Sequence, residues 1–256
     1  MNDLARRLRA LHHADVPLIL PNAWDVASAR AVERAGAAAI ATSSSAVAES
    51  LGFEDGEQAP PDEMFTAITR IASGVALPVT ADIEGGYGLE AAELVERLLA
   101  TGAAGMNVED TDRHSAATLV PVDRQAQRIG AIREAATGAG VPLVINARID
   151  VYLRDRRSPE AVTDEAIERA RAYLAAGADC VYPIFLSDAT LIGRIVDALQ
   201  APVNILLRPG APPISQLHRL GVRRISVGGG LAKRTMNRIE RDARSLLAGD
   251  ASPLIG

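Results

Sequence analysis

Short apolar runs bounded by glycine or proline recur along this chain, and between them lie stretches whose apolar residues fall at helical spacing. Leu18-Ile19-Leu20-Pro21-Asn22 is the first such run. A repeated phrase follows, in which glycine ends a helix and a short apolar strand comes next. It reads Ala35-Gly36 before Ala38-Ala39-Ile40, Thr101-Gly102 before Met106-Asn107-Val108, Ala176-Gly177 before Cys180-Val181-Tyr182, and Leu220-Gly221 before Arg224-Ile225-Ser226-Val227. Variants carrying a proline occur at 74–79, 140–145 and 201–206. The pattern predicts strands over about 18–22, 38–43, 77–83, 104–109, 142–147, 179–184, 202–207 and 223–227. Strict alternation of strand and helix requires parallel strands joined by right-handed crossovers. Eight such units in 256 residues match an α/β fold, a single (β/α)8 TIM barrel. The rival, a doubly wound open sheet, is weakened because no G-x-G-x-x-G follows the first strand.

Residues 1–256 therefore read as one barrel domain, with an N-terminal helix within 1–15 and a C-terminal helix and tail over 230–256. In the first of these, Leu4, Leu8 and Leu11 share a helical face. Asp25 has the place of an N-cap for the helix after the first strand. Two loops exceed the rest, 45–61 after the second strand and 110–122 after the fourth. Both follow strand C-termini, the face where barrel enzymes carry their chemistry.

Composition narrows the function classes. The chain is 48% hydrophobic and 23% charged with a net charge of −5, ordinary for a globular protein and without the basic stripe that nucleic acid demands. No apolar run approaches the ~20 residues of a bilayer span, and the charged first 15 residues carry no signal-peptide pattern, so a cytoplasmic protein is the expectation. The single cysteine, Cys180, excludes an internal disulfide and is expected in the core of its strand. The single lysine, Lys233, falls in the final helix, which removes a Schiff-base aldolase.

Polar residues gather at the predicted strand C-termini. They are Asn22 and Asp25, Thr42 to Ser45, Asp82 and Glu84, Asn107 and Glu109, Asn146, Arg148 and Asp150, then Asn204, Arg208 and Ser226. Several are spaced by two, so Asp82/Glu84, Asn107/Glu109 and Asn146/Arg148 should each face one way. Charge placed inside a barrel must be compensated, and a divalent cation with an anionic ligand would do so. The acids Asp82, Glu84 and Glu109, with Asp55 in the long loop, suit a hard, oxygen-seeking cation: magnesium, with manganese as the alternative. Histidine occurs only at 12, 13, 114 and 218, never at a strand end, which argues against zinc. Arg148 offers a planar fork for a carboxylate or phosphate. Each signal also has a structural reading: Ser43 to Ser45 as a loop start, Arg148–Asp150 as an ion pair, Glu109–Asp110 as a cap, Asn204 as a core amide.

Taken in order, Thr42-Ser43-Ser44-Ser45 with Ser50 to Asp55, Ala81-Asp82-Ile83-Glu84-Gly85-Gly86-Tyr87-Gly88, Gly105 to Asp110 and Asn146 to Asp150 resemble the isocitrate lyase/phosphoenolpyruvate mutase superfamily over about 18–243. The resemblance implies a barrel whose last helix swaps between subunits of a homo-oligomer, a tetramer or dimer. It implies Asp82 as the main magnesium ligand, with Glu84, Glu109 and Asp55 acting through metal-bound waters. Ser43, Ser44 and Ser45 would hold a substrate carboxylate and 2-oxo oxygen, Arg148 a carboxylate or developing charge, and Trp24 and Asp25 match a family stretch near the ligand. Asn204, from its place at a strand end, is expected to contact the substrate as well. The implied partner is a small 2-oxo acid or dicarboxylate.

The departures matter as much. The lyases resemble one another in a Lys-Lys/Arg-Cys-Gly-His loop after the fourth strand; here Thr111 to Leu119 holds no cysteine, and Ile184 stands where the lyases place a glutamate. The lysine and Asn-Ser of the phosphonomutase gate are missing too. What survives implies formation of a pyruvate enolate as a bond at C3 breaks, and decarboxylation of an oxaloacetate-like substrate needs least from the missing acid. The enolate would take its proton from water or His114. Two alternatives stand beside this: phosphonate chemistry, supported by Gly228-Gly229-Gly230 before a helix as a phosphate cradle, and a 2-oxo-acid-binding protein without turnover.

Overall fold

A computed structural model describes residues 2–113 and 118–255 of the chain. Among them, eight parallel strands close into a ring. The first strand is split by Pro21, which has no N–H for the ladder. Its leading piece, Leu18–Leu20, pairs with the eighth strand, Arg224–Ser226, and its trailing piece, Asn22–Ala23, pairs with the second, Ile40–Thr42. The third (Val79–Asp82), fourth (Gly105–Glu109), fifth (Val144–Ile149) and sixth (Cys180–Pro183) strands follow in order. A bridge between Val181 and Val203 and the pairing of Asn204–Leu206 with the eighth strand complete the ring. The fold is thus the (β/α)8 barrel that the hydrophobic pattern predicts.

Alternation along each strand sorts the side chains. Ala81, Met106, Val108, Ile145, Ala147, Val181, Ile205 and Ile225 belong to the buried apolar core. The intervening positions face the lumen, and there polar groups replace the usual branched aliphatics: Thr80, Asn107, Asn146, Asn204 and Arg224 are all buried. This lumen is closed from below by the N-terminal helix, Asn2–Leu11, whose Ala5 and Leu8 are fully buried. Leu8 lies against Gly105, where an added Cβ would stand 2.9 Å from Leu8 Cδ2 and 2.8 Å from the Val144 carbonyl. His12 follows, buried, its pKa pushed down to about 3 by burial and by the nearby Arg224 charge.

Local rules account for the connections. Asp25 caps the helix Val26–Arg34 and forms a capping box with Ser28. Gly36, at φ +88, takes the left-handed position after that helix. Gly74 ends its helix at φ −83 for a different reason: a Cβ there would meet Val26 Cγ1 at 2.8 Å.

Three expectations are corrected. The serine run is not a loop start but the N-terminus of a helix, Ser44–Leu51, ended by Gly52 at φ +89. The 110–122 segment is not featureless, because Thr111–Asp112 pairs antiparallel with Thr118–Leu119. The third strand stops at Asp82, so Glu84 does not share its alternation; Glu84 lies in the following turn at φ +52. The C-terminal helix, Gly230–Leu247, buries only Ala232. Among the described residues no helix is long and apolar enough to cross a membrane.

Candidate active site

The C-terminal ends of the third, fourth and fifth strands place Asp82, Glu84, Glu109 and Arg148 at one mouth. Asp82 ends its strand partly exposed. Its Oδ2 accepts from the Ser44 N–H (3.1 Å) and hydroxyl (2.8 Å), and its backbone N–H donates to Thr42 Oγ1 at 2.8 Å. Asn107 Nδ2 stands 3.4 Å from Oδ1. The new helix Ser44–Leu51 thus aims its first turn at Asp82, where N–H groups and the helix dipole favour negative charge. Ser44 is committed to Asp82, while the Ser43 and Ser45 hydroxyls lie 3.1 Å from each other.

Glu84 is 2% exposed. Its Oε2 accepts from the Glu57 N–H at 2.7 Å, and its own carbonyl accepts from Glu109 N. Burial, then the charges of Asp82, Asp55 and Glu109, push its pKa up to about 8. No arginine or lysine forms an ion pair with Asp82, Glu84 or Asp55 among the described residues. Asp55 is exposed on the loop beyond the helix.

Glu109 is different. Its Oε1 accepts from Arg113 Nε at 2.6 Å and its Oε2 lies 2.6 Å from Arg148 Nη1. Burial pushes its carboxyl up, against the pull of both guanidiniums. Arg148 also grips Asp150 with Nε (2.7 Å) and Nη2 (2.9 Å). Its fork is therefore turned on a carboxylate of its own chain, and two of its five N–H donors remain for a ligand. Behind this pair, Asp150 accepts from the Thr111 hydroxyl at 2.5 Å, and its N–H donates to Asp110. Asp110, fully buried, takes Tyr173 OH (2.8 Å) and Arg169 Nη1 (3.1 Å).

The remaining sequence candidates divide. Trp24 is partly buried at the end of the first strand, its backbone N–H donating to Ser28 Oγ. Asn22 fastens the ring, donating to the Thr42 carbonyl and accepting from the N–H groups of Val227 and Gly228. Asn204 is fully buried and donates to Ser226 Oγ at 3.2 Å, inside the lumen. His114 lies outside the described residues. Cys180 is buried in its strand, where burial raises its pKa to about 12.

Next to Arg148 the rim turns apolar, where Tyr182, Ile184 and Leu206 cluster with Phe185 against them. Beside Glu109 a cavity of about 520 Å3 is bordered by Gly85, Arg113, Arg124 and Arg128. Sequence reading missed Arg113, Arg169, Tyr173, His12 and Arg224. Only the i,i+4 spacing of Arg169 and Tyr173 hinted that two polar groups share a helix face.

Among the described residues no three acidic, histidine or cysteine side chains converge to grip an ion directly. A magnesium-like cation does not require that, since it keeps several waters and takes one or two carboxylates. Asp82 is accessible and makes no direct ion pair, and the raised Glu84 marks a crowd of acids that its distant arginines do not relieve by direct contact. The donors are all oxygen, so the residues fit magnesium or manganese and not zinc.

The phosphoenolpyruvate phosphomutase family matches residues 8–247 of the chain. The chain is 30% identical over 208 residues to 2-methylisocitrate lyase of Escherichia coli K12, covering 77% of this chain and 68% of that one. It is 31% identical over 205 residues to oxaloacetate decarboxylase of Bradyrhizobium sp. BTAi1, covering 71% and 68%. A crystal structure of a candidate phosphonomutase from Burkholderia cenocepacia J2315 superposes with a TM-score of 0.90 at 40% identity, over 95% of this chain and all of that one.

Proposed function

The chain belongs to the phosphoenolpyruvate phosphomutase family, within the isocitrate lyase/phosphoenolpyruvate mutase superfamily, and from that premise we propose that it is a divalent-metal-dependent lyase. Its substrate would be a small 2-oxo acid or dicarboxylate, cleaved at a carbon–carbon bond as in oxaloacetate decarboxylation. The observation that carries this reading is the crowding of acids around Asp82, where Asp82, Glu84 and Asp55 make no direct ion pair and Glu84 is pushed up to about 8.

Asp82 would hold magnesium or manganese, with Glu84, Asp55 and Glu109 adding negative charge around it. When bound, the ion supplies positive charge for the 2-oxo and carboxylate oxygens of the substrate. Ser43 and Ser45 offer hydroxyls to a substrate carboxylate, and Arg148 offers its two free donors and its charge to the enolate oxygen. Trp24 borders the same mouth. The C–C electron pair passes into the enolate as CO2 leaves, a step that asks no acid for a proton. Carbon C3 then takes a proton from water or from His114, the only histidine in the loop that lacks the lyase cysteine. Asn204, buried below the rim, supports the lumen beneath this group.

A second reading, phosphonate chemistry, is favoured by the similarity to the candidate phosphonomutase. One assay separates the two. Purified protein with Mg2+ is offered oxaloacetate, alkyl-substituted malates and phosphonopyruvate, and pyruvate or aldehyde release is followed. Pyruvate from oxaloacetate is expected, and Asp82→Ala should lower turnover by more than about a hundredfold, beyond the loss typical of outer-shell partners. Turnover of phosphonopyruvate alone would select the second reading. Metal-dependent binding without any turnover would make this a 2-oxo-acid-binding protein, and a fully active Asp82→Ala would remove the metal assignment.

A further inference from the structure

Three arginines are buried among the described residues, and two of them pair with carboxylates, Arg148 with Glu109 and Asp150, Arg169 with Asp110 and Glu165. Arg224 does not. It leaves the eighth strand, is 1% exposed, and its hydrogen bonds go to neutral groups alone. Nη2 crosses the lumen and donates to Asn107 Oδ1 on the fourth strand at 2.9 Å. Nη1 lies 3.3 Å from His12 Nε2, and Nε has no partner. His12 Nδ1 is 2.8 Å from the Leu8 carbonyl. That acceptor places the ring proton on Nδ1 and leaves Nε2 free to accept from the guanidinium.

A guanidinium buried without a carboxylate is costly, and an apolar side chain of similar volume would fill the space at less expense. What Arg224 touches suggests what it does. Asn107 Oδ1 also accepts from Asn146 Nδ2 at 2.8 Å. With its oxygen held by two donors, the amide has one orientation left, Nδ2 toward Asp82 Oδ1 at 3.4 Å. Turned over, it would set a lone pair against the carboxylate. We propose that Arg224 is a positioning residue for the cation site: through Asn107 it fixes the orientation of the Asp82 carboxylate from beneath. The inference rests on the reading above only in taking Asp82 as the ion's ligand.

Charge and orientation pull in opposite directions, which makes the idea testable. A positive charge below Asp82 would by itself repel a cation, so removing it should tighten binding if charge were its whole effect. If orientation dominates, removal should weaken binding. The probe is Mn2+ alone, titrated calorimetrically and by electron paramagnetic resonance of the free ion. The proteins are wild type, Asp82→Ala, Arg224→Met, Asn107→Leu and the Arg224→Met/Asn107→Leu double variant. Arg224→Met should stay folded and lose about tenfold in Mn2+ affinity, the lower end of outer-shell effects. Asn107→Leu should lose about as much, and the double variant no more than Asn107→Leu alone. Should Arg224→Met not fold, Arg224→Gln, whose amide is too short to cross the lumen, is measured in the same way. Unchanged or tighter binding in the Arg224 variant, or additive losses in the double variant, would overturn the proposal. Binding lost in Asp82→Ala yet kept in Arg224→Met overturns this inference alone. Binding kept in Asp82→Ala overturns the functional reading and this inference with it.

Discussion

Glu84 sits where the chain can least easily change it. Its backbone is left-handed (φ +52), its carboxylate is buried, and one oxygen is held by the Glu57 N–H. With its pKa at about 8, set by burial and by Asp82, Asp55 and Glu109, the metal-free protein keeps a proton there at neutral pH. A cation entering the group must expel that proton. Mg2+ or Mn2+ affinity should therefore climb with pH by about tenfold per unit below 8 and level off above it, with one proton released per ion. Calorimetry in buffers of different ionisation enthalpy counts that proton; a flat affinity from pH 6 to 8 would contradict the assignment. The sign for stability is opposite. The folded pKa lies above the ordinary 4.5, so this group's contribution is present at low pH and is lost as pH rises through 8, and bound metal should cancel the loss. At this scale the acids were legible from type and spacing. Arg224 was not, because both faces of a barrel strand are buried and Arg-Ile-Ser carries no sign of which face meets the lumen; His12 was not, because nothing in the turn after the first helix shows that it is tucked under the barrel.

Elements were more legible than side chains. The helix-glycine-strand phrase repeats because each βα unit solves the same problem, and all eight strands fall where it puts them. What escaped were the elements built from short polar sequence. Ser44–Leu51 begins with two serines, which read as loop residues until Asp82 is seen accepting from the first turn. The antiparallel pair Thr111–Asp112 and Thr118–Leu119 has strands of two residues, too short for periodicity to register. The N-terminal helix was foreseen, but not its role as the floor of the barrel. Gly105 tests that role. A side chain there would run into Leu8 and the Val144 carbonyl, and backbone cannot yield as a flexible side chain can. Gly105→Val should cost about 1–3 kcal/mol by overpacking, lowering Tm by several degrees in a barrel of this size. Differential scanning calorimetry measures it. A Tm unchanged from wild type would mean that the helix does not seat against the lower rim.

On the scale of the whole molecule one element packs on the barrel through its first turn alone. Along the C-terminal helix Ala232, Met236, Ile239, Ala243 and Leu246 recur at intervals of four, three, four and three. This is the spacing that lines one seam of a helix. Only Ala232 is buried; Met236, Ile239 and Leu246 are 44%, 56% and 41% exposed. The flanks are charged, with Arg238–Asp242 and Arg244–Glu240 pairs along the polar side. An apolar seam on an amphipathic helix is buried somewhere when the helix is stable in water. A second copy of the chain would supply a matching seam, in keeping with the homo-oligomer that the family resemblance implies. Replacing Met236 and Ile239 together by glutamate puts two charges on that seam and leaves the barrel core untouched. Light scattering on the eluting protein should then find wild type as a dimer or tetramer and the double variant as a smaller species, both with barrel-like circular dichroism. A wild type that elutes as a monomer, or a variant of unchanged mass, would leave the seam without the role argued for it.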